Sequence, residues 1–251
     1  MSLTVSPRGT YDIMPDQALA WQWMEINIRE ILVAYGYGEI RTPIFEHTEL
    51  FLRGIGETTD IVEKEMYSFT DKGGRSLTLR PEGTAPVVRA YIQHKLHGQG
   101  GSTKLFYLGP MFRQERPQAG RFRQFHQFGV EVFGSWDPAI DAEVISMGYL
   151  FYREIGLDHV RVEINSVGNA ASRSDYREKL LAFLRPIRDR LCQDCQNRFD
   201  RNPLRILDCK VDQEHFVGAP SILDSLDEES KGHFEAVKEY LRSMDIPFTV
   251  N

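Results

Sequence analysis

One stretch constrains this chain more than any other: residues 106–133, FYLGPMFRQERPQAGRFRQFHQFGVEVF. It reads as two antiparallel strands, over 106–116 and 124–133, joined by a loop that carries proline, glycine and two arginines. Strand side chains alternate between faces. Phe125, Gln127, Gly129, Glu131 and Phe133 therefore share one face of the second strand, and Arg113 and Glu115 share one face of the first. Arginine and glutamate are costly to bury unless paired. An aromatic, an amide, a glycine and a carboxylate make a poor apolar core but a good floor for a polar ligand. Arg113 offers a rigid fork of donors suited to phosphate. Arg121 and Arg123 sit on the loop, within reach of outer phosphates. Phe125 can stack under a purine, Gln127 and Glu131 can take an amino group or another polar head, and Gly129 leaves room beside the backbone. A charged, solvent-facing hairpin with incidental arginines explains the same pattern equally well.

The rest of the chain sets bounds on that floor. Its 251 residues allow one large domain or two smaller ones, and its 41% hydrophobic and 26% charged content is that of a globular chain. No apolar run approaches the roughly 20 residues of a membrane span. The opening MSLTVSPRGT has no apolar signal core, so export and a membrane partner are not expected. Three cysteines point to a reducing compartment. The net charge of −6 argues against bulk attraction to nucleic acid, though not against a local basic patch.

In chain order, Asp16 is a helix cap before a helical stripe of Trp21, Met24, Ile28, Ile31, Leu32 and Tyr35. Residues 39–45 read as an edge strand broken by Pro43, and 50–65 as a loop and short helix. Strands over 66–70 and 76–80 flank the turn Asp71-Lys72-Gly73-Gly74. The second strand runs into Pro81-Glu82-Gly83-Thr84 and a helix with Pro86 in its first turn. Glu82 and Thr84 thus stand at a strand-to-helix junction, where they either face a pocket or cap the helix. Asp137-Pro138 opens a helix with Ile140, Val144, Met147, Phe151 and Ile155 inward. Its Asp141 and Glu143 are accounted for by the helix dipole. A strand over 160–164 follows, then a small, polar boundary at 168–174. Helices are expected around Tyr176–Leu191, broken at Pro186, and after Asp227, with Phe234, Val237, Leu241 and Met244 inward. Residues 248–251 look like a strand cut short.

Cys192 and Cys195 have C-x-x-C spacing, and Cys209 lies fourteen residues beyond. Zinc needs a fourth ligand, for which His215 is the nearest candidate. With no clear fourth partner, zinc is not expected and the cysteines read as reduced structural thiols. Nothing of a thioredoxin-like βαβ context favours a redox pair.

The segment GPMFRQERPQAGRFRQFHQFGVEVFG resembles motif 2 of class II aminoacyl-tRNA synthetases, in the form found in histidyl-tRNA synthetases. LRPEGT at 79–84 and PRGTYDIMP at 7–15 resemble the same family. Three ordered segments are specific in combination. The resemblance implies an α+β fold, a mainly antiparallel sheet flanked by helices. Residues 1–167 would be the first part of the catalytic domain, 168–246 a helical insertion, and 247–251 the start of a strand returning to the sheet. Residues 31–46 would match motif 1 and form a homodimer interface, although the residues alone slightly favour an ordinary helix and edge strand.

The resemblance also assigns roles. Arg113 would bind the α-phosphate of ATP and Arg121 the γ-phosphate of its bent form. Glu115 would accept from the adenine amino group, with Phe125 stacked on the ring. Glu82, Gly83, Thr84 and Gln127 would hold the amino group and backbone of histidine, and Glu131 would read the imidazole. Magnesium would accompany ATP. The implied activity is histidine–tRNA ligation: formation of histidyl-adenylate, then transfer to tRNA(His), in the cytoplasm. In the family a histidine-specific segment with a catalytic arginine, motif 3 with its ATP-binding arginine, and an anticodon-binding domain come later than residue 251. The expectation is therefore an N-terminal fragment with half the pocket and no activity alone. The rival is a non-catalytic, histidyl-tRNA synthetase-like regulatory subunit of histidine biosynthesis. Its mark would be loss of the ATP and histidine residues, whereas Arg113, Arg121, Gln127 and Glu131 are all in place.

Overall fold

A computed structural model describes residues 4–55, 65–115, 118 and 120–251. Its contacts divide the chain into two units, residues 1–136 with 150–157, and residues 137–149 with 158–251.

The first unit opens with α1 (Pro15–Ala34), β1 (Gly38–Glu39), β2 (Phe45–His47) and α2 (Thr48–Ile55). Next come β3 (Ser68–Thr70), β4 (Ser76–Leu79), α3 (Thr84–Gln93), β5 (Thr103–Phe112) and β6 (Gln124–Phe133). Helix α1 starts one residue before the expected cap. Extended Met14 precedes it and Pro15 takes the first helical position, where the absent N–H costs nothing. Asp16 is thus a first-turn acid rather than a cap. Ile28 and Leu32 are buried from the expected stripe. The single strand expected over 39–45 is instead two strands in different sheets. β1 runs parallel to β5, and β2 pairs antiparallel with β4. Pro43, which cannot donate to a ladder, lies between them. The hairpin at Asp71 forms as expected: its carboxylate accepts from the amides of Gly73 and Arg75, and β3 pairs antiparallel with β4. Of the loop and short helix expected over 50–65, residues 56–64 lie outside the described residues.

The strands form two sheets, ordered β1-β5-β6 and β2-β4-β3. Arg80, just past β4, joins them. Its amide donates to Ile44 O at 2.9 Å and its carbonyl accepts from Phe112 N at 3.0 Å. The Arg80 guanidinium, only 6% exposed, donates to Pro110 O and to the carbonyl and hydroxyl of Thr42. The central pair β5 and β6 is antiparallel over ten residues each, with Tyr107 opposite Gly129 and Leu105 opposite Glu131. The first strand begins at Thr103 and ends at Phe112, earlier than expected, so Arg113 and Glu115 follow the strand. Register nevertheless persists, since Arg113 N donates to Arg123 O at 2.9 Å. The floor face is more apolar than expected: Phe125 and Phe133 pack on a core of Val87, Tyr107 and Met111.

In the second unit, residues 138–149 of α4 (Pro138–Glu154) accompany β7 (Val162–Ile164), α5 (Ala170–Leu184) and α6 (Gln193–Arg201). Helix α7 (Glu228–Ser243) and β8 (Phe248–Val250) complete it. Asn169 caps α5 by accepting from Ser172 N, so a helix begins inside the segment expected to be a boundary. At Pro186 the chain passes into a 3₁₀ turn, Arg185–Arg190, as a proline without an N–H requires. Asp227 caps α7 through Ser230 N. Met244 is exposed, contrary to expectation. Asp245 takes a left-handed conformation and Ile246 N bonds back to Leu241 O, so Ile246 fills the core in its place. That core also holds Ala142, Ile164, Phe234, Val237 and Leu241. β8 pairs parallel with β7 in a separate two-stranded sheet. Among the described residues no helix is long and apolar enough to cross a membrane.

Candidate active site

The hairpin register gathers the predicted residues. Residues directly opposite in an antiparallel pair share a face, so Phe125, Gln127, Gly129 and Glu131 lie beside Met111, Gly109, Tyr107 and Leu105. The space beside Gly129 is not open to a ligand, as its sequence pattern implied. Tyr107 fills it, and the same ring lies against Gly83. Gly83 and Gly129 lack side chains because the 5%-exposed tyrosine sits between them. Tyr107 was not foreseen from the sequence. The available signal was a large aromatic placed in register with a glycine.

Around Tyr107 stands a polar cluster. Thr84 Oγ1 donates to Glu131 Oε1 at 2.6 Å, and the Tyr107 hydroxyl is hydrogen-bonded to Thr84. Burial, and then the nearby Glu131 carboxylate, push the Tyr107 phenol up to about 12, which keeps it neutral at physiological pH. Burial likewise raises the Glu131 carboxyl; the Thr84 bond opposes that shift and the Glu82 charge adds to it. Glu82 caps α3: its carboxylate accepts from Thr84 N at 2.5 Å and Ala85 N at 3.1 Å. Glu82 thus caps the helix and also lines a cleft, so its two readings coexist. The amide oxygen of Gln127 is buried and meets no donor, an arrangement that native structures rarely leave unexplained.

At the other end of the floor, Arg113 Nε donates to Pro81 O at 3.0 Å and its guanidinium carbon lies 5.3 Å from the Phe125 ring centre. Glu115 lies 3.9 Å from Arg113 and 3.4 Å from Arg121. Arg123 donates to Glu115 O, and its own amide donates to Gly9 O at 2.7 Å. Tyr11 packs on Phe122 with ring centres 4.9 Å apart. The 7–15 segment is thereby tied to the arginine loop, a link no local pattern foretold. Arg113, Glu115, Arg121 and Phe125 are thus brought together, while Glu82, Gly83, Thr84 and Glu131 gather around Tyr107. A separate cleft of about 910 Å³ opens beside Arg89 and its ion-pair partner Glu46. It touches the floor only at Glu82 and Thr84.

In the second unit, Cys192, Cys195 and Cys209 stand with Asp212, not with His215 as the sequence spacing suggested. The four ligand atoms lie within 4.8 Å of one another.

A solved structure of apo histidyl-tRNA synthetase from S. aureus matches with a TM-score of 0.78 at 45% identity, covering 99% of this chain and 57% of that one. The fold is therefore that of the class II aminoacyl-tRNA synthetases. The family model described as histidyl-tRNA synthetase matches residues 9–179, and the chain belongs to that family. A histidine–tRNA ligase of Geobacillus thermodenitrificans is 59% identical over 248 residues, 98% of this chain and 58% of that protein. One of Pelotomaculum thermopropionicum is 58% identical over 251 residues, 99% of this chain and 59% of that protein. The chain thus spans a little under three fifths of the length of the curated relatives it matches. A structure described as an ATP phosphoribosyltransferase regulatory subunit/histidyl-tRNA synthetase from Bacillus halodurans C shares the fold, with a TM-score of 0.69 at 21% identity.

Proposed function

We propose that this chain supplies the histidine- and ATP-facing floor of a histidine–tRNA ligase. The polar sheet face that Gln127 shares with Glu131 carries the reading, together with the Thr84 hydroxyl bonded to Glu131. The α-ammonium group of histidine would be held by the Gln127 amide. Thr84 and the free lone pairs of the Glu82 carboxylate would hold the same ammonium, and Glu131 would accept from the imidazole N–H. A carboxylate built to receive that proton rejects apolar side chains of similar size, which would leave it unpaired.

At the phosphate end, Arg113 would hold the α-phosphate, with its fork already aimed by Pro81 O and Phe125. Adenine would stack on Phe125, Glu115 would accept from its amino group, and Arg121 would reach the γ-phosphate. Two arginines fit a polyphosphate, and magnesium would arrive with the nucleotide to neutralise phosphate charge. The histidine carboxylate would attack the α-phosphorus, pyrophosphate would leave, and Arg113 would offset the charge that develops there. The terminal ribose hydroxyl of tRNA(His) would then displace AMP from the histidyl carbonyl.

Exposed Val33, Ile44 and Phe45 support a homodimer through the motif 1 region at 31–46. A cytoplasmic location belongs to the same reading. The regulatory-subunit alternative rests on fold alone, and the retained Arg113, Arg121, Gln127 and Glu131 favour the ligase.

Calorimetry with L-histidine on residues 1–251, and histidine-dependent ATP–pyrophosphate exchange in the protein that carries this chain, test the proposal. Histidine binding that survives Gln127→Leu unchanged would sink it.

A further inference from the structure

Away from the strand floor, the second unit brings four metal-binding groups to one point. Cys192 precedes α6 as its cap residue and Cys195 lies in its first turn. Cys209 closes a turn by donating its amide to Ile206 O at 3.0 Å, and Asp212 follows three residues later. The order is two closely spaced pairs, C-x-x-C and C-x-x-D, separated by a helix and a turn. Paired ligands at that spacing, far apart as pairs, are the sequence form of closed zinc sites.

The geometry is that of a coordination shell rather than of a disulfide. Cys192 Sγ and Cys209 Sγ are 3.8 Å apart, and all three cysteines are free. A disulfide needs about 2.05 Å between sulfurs. Two thiolates each about 2.3 Å from a tetrahedral zinc are separated by about 3.8 Å. The Asp212 carboxylate is 3% exposed, and both its oxygens accept from the Cys192 amide at 3.1 Å. None of the four groups carries positive charge, and a buried carboxylate among sulfurs is costly without a cation. Cys195 is fully buried in a core with Leu180, Leu184, Phe199 and Ile206.

We propose that Cys192, Cys195, Cys209 and Asp212 form a closed, tetrahedral site for one zinc ion that fastens α6 to the turn after Ile206. Soft thiolates select zinc over magnesium or calcium. Four protein ligands leave no open position, so the role is structural. Binding converts three thiols to thiolates and releases their three protons to solvent, so the affinity rises with pH.

The test uses residues 1–251 purified under reducing conditions without chelator. Elemental analysis should find about one zinc per chain. Exchange with Co²⁺ should give thiolate-to-cobalt charge-transfer absorption and the strong visible bands of tetrahedral cobalt. Cys209→Ser and Asp212→Ala should weaken zinc in a chelator competition by more than the roughly 10- to 100-fold lost with an outer-shell partner. Asp208→Asn, beside the cluster, should not. Should a ligand variant fail to fold, the zinc content and cobalt spectrum of the unaltered chain decide alone. A folded chain with under about a tenth of an equivalent of zinc and no thiolate–cobalt band would overturn the site. A Cys192–Cys209 disulfide found by mass spectrometry in the metal-free chain would overturn it too.

Discussion

The ring of Tyr107 occupies the place where a side chain at Gly129 would begin. A Cβ added there would lie 2.3 Å from the tyrosine hydroxyl oxygen, and one added at Gly83 would lie 2.2 Å from its Cε2. Two glycines far apart in sequence therefore serve one aromatic residue, and that residue sets the position of Thr84 and, through it, Glu131. The polar groups of the candidate pocket floor rest on a buried ring.

Gly129→Ala is accordingly expected to destabilise the chain by about 1–3 kcal/mol, the usual cost of overpacking a close-packed site. Tyr107→Ala destabilises by itself through a cavity, but the double variant should be more stable than the sum of the two predicts. Urea unfolding of all four chains measures the coupling. Additivity to within about 0.5 kcal/mol would show that the ring is not what Gly129 accommodates.

Glu131→Gln separates stability from binding. Burial raises the Glu131 carboxyl, so the folded chain holds that proton more tightly than the unfolded one. Its contribution to stability is complete below the unfolded glutamate value, about 4.3, and is lost as pH rises through the raised folded value. The ligand-free variant should thus be more stable than the parent at pH 7, with the difference shrinking towards pH 4 in thermal melts. Histidine binding should move the opposite way. Losing a hydrogen bond to a charged group, roughly 1.5–3 kcal/mol, weakens it by about 10- to 100-fold. A variant that binds histidine as well as the parent would remove Glu131 from the imidazole contact.

Arg113 and Arg121 should differ in what they cost. Arg113 is aimed by Pro81 O and Phe125, whereas Arg121 is mostly exposed. Arg113→Ala should lower the rate of histidine-dependent pyrophosphate exchange by about 10²–10³, the scale of a lost transition-state donor. Arg121→Ala should chiefly raise the KM for ATP. Equal effects on both parameters would mean that the two arginines do not divide the phosphates as proposed.

Val33, 63% exposed on α1 within the proposed 31–46 interface, supplies the test of assembly. Val33→Glu should leave the melting temperature of the monomer little changed and shift the sedimentation of the proposed dimer towards monomer. An unaltered dimer would place the interface elsewhere.

Much of this was legible locally. The alternation from Gln124 to Phe133 fixed which side chains share a face, because strand period is a property of the backbone. The Asp71–Gly74 turn, the Asp227 cap and the break at Pro186 follow from hydrogen bonds and missing donors within a few residues. The motif segments pointed to the family for the same reason, since each packs its chemistry into one short run. Tertiary structure alone decided the rest. Pro43 divides one expected strand between two sheets, because its neighbours pair with strands that arrive 30 or more residues later. Ile246 replaces Met244 in the core through a left-handed Asp245. Asp212 rather than His215 joins the cysteines, since a turn, not sequence distance, sets which side chain points inward. Tyr107 emerges as the support of the pocket only when its ring is seen between Gly83 and Gly129. A sequence records which groups a chain owns and their local period; which groups share a volume depends on packing between segments that are distant along the chain.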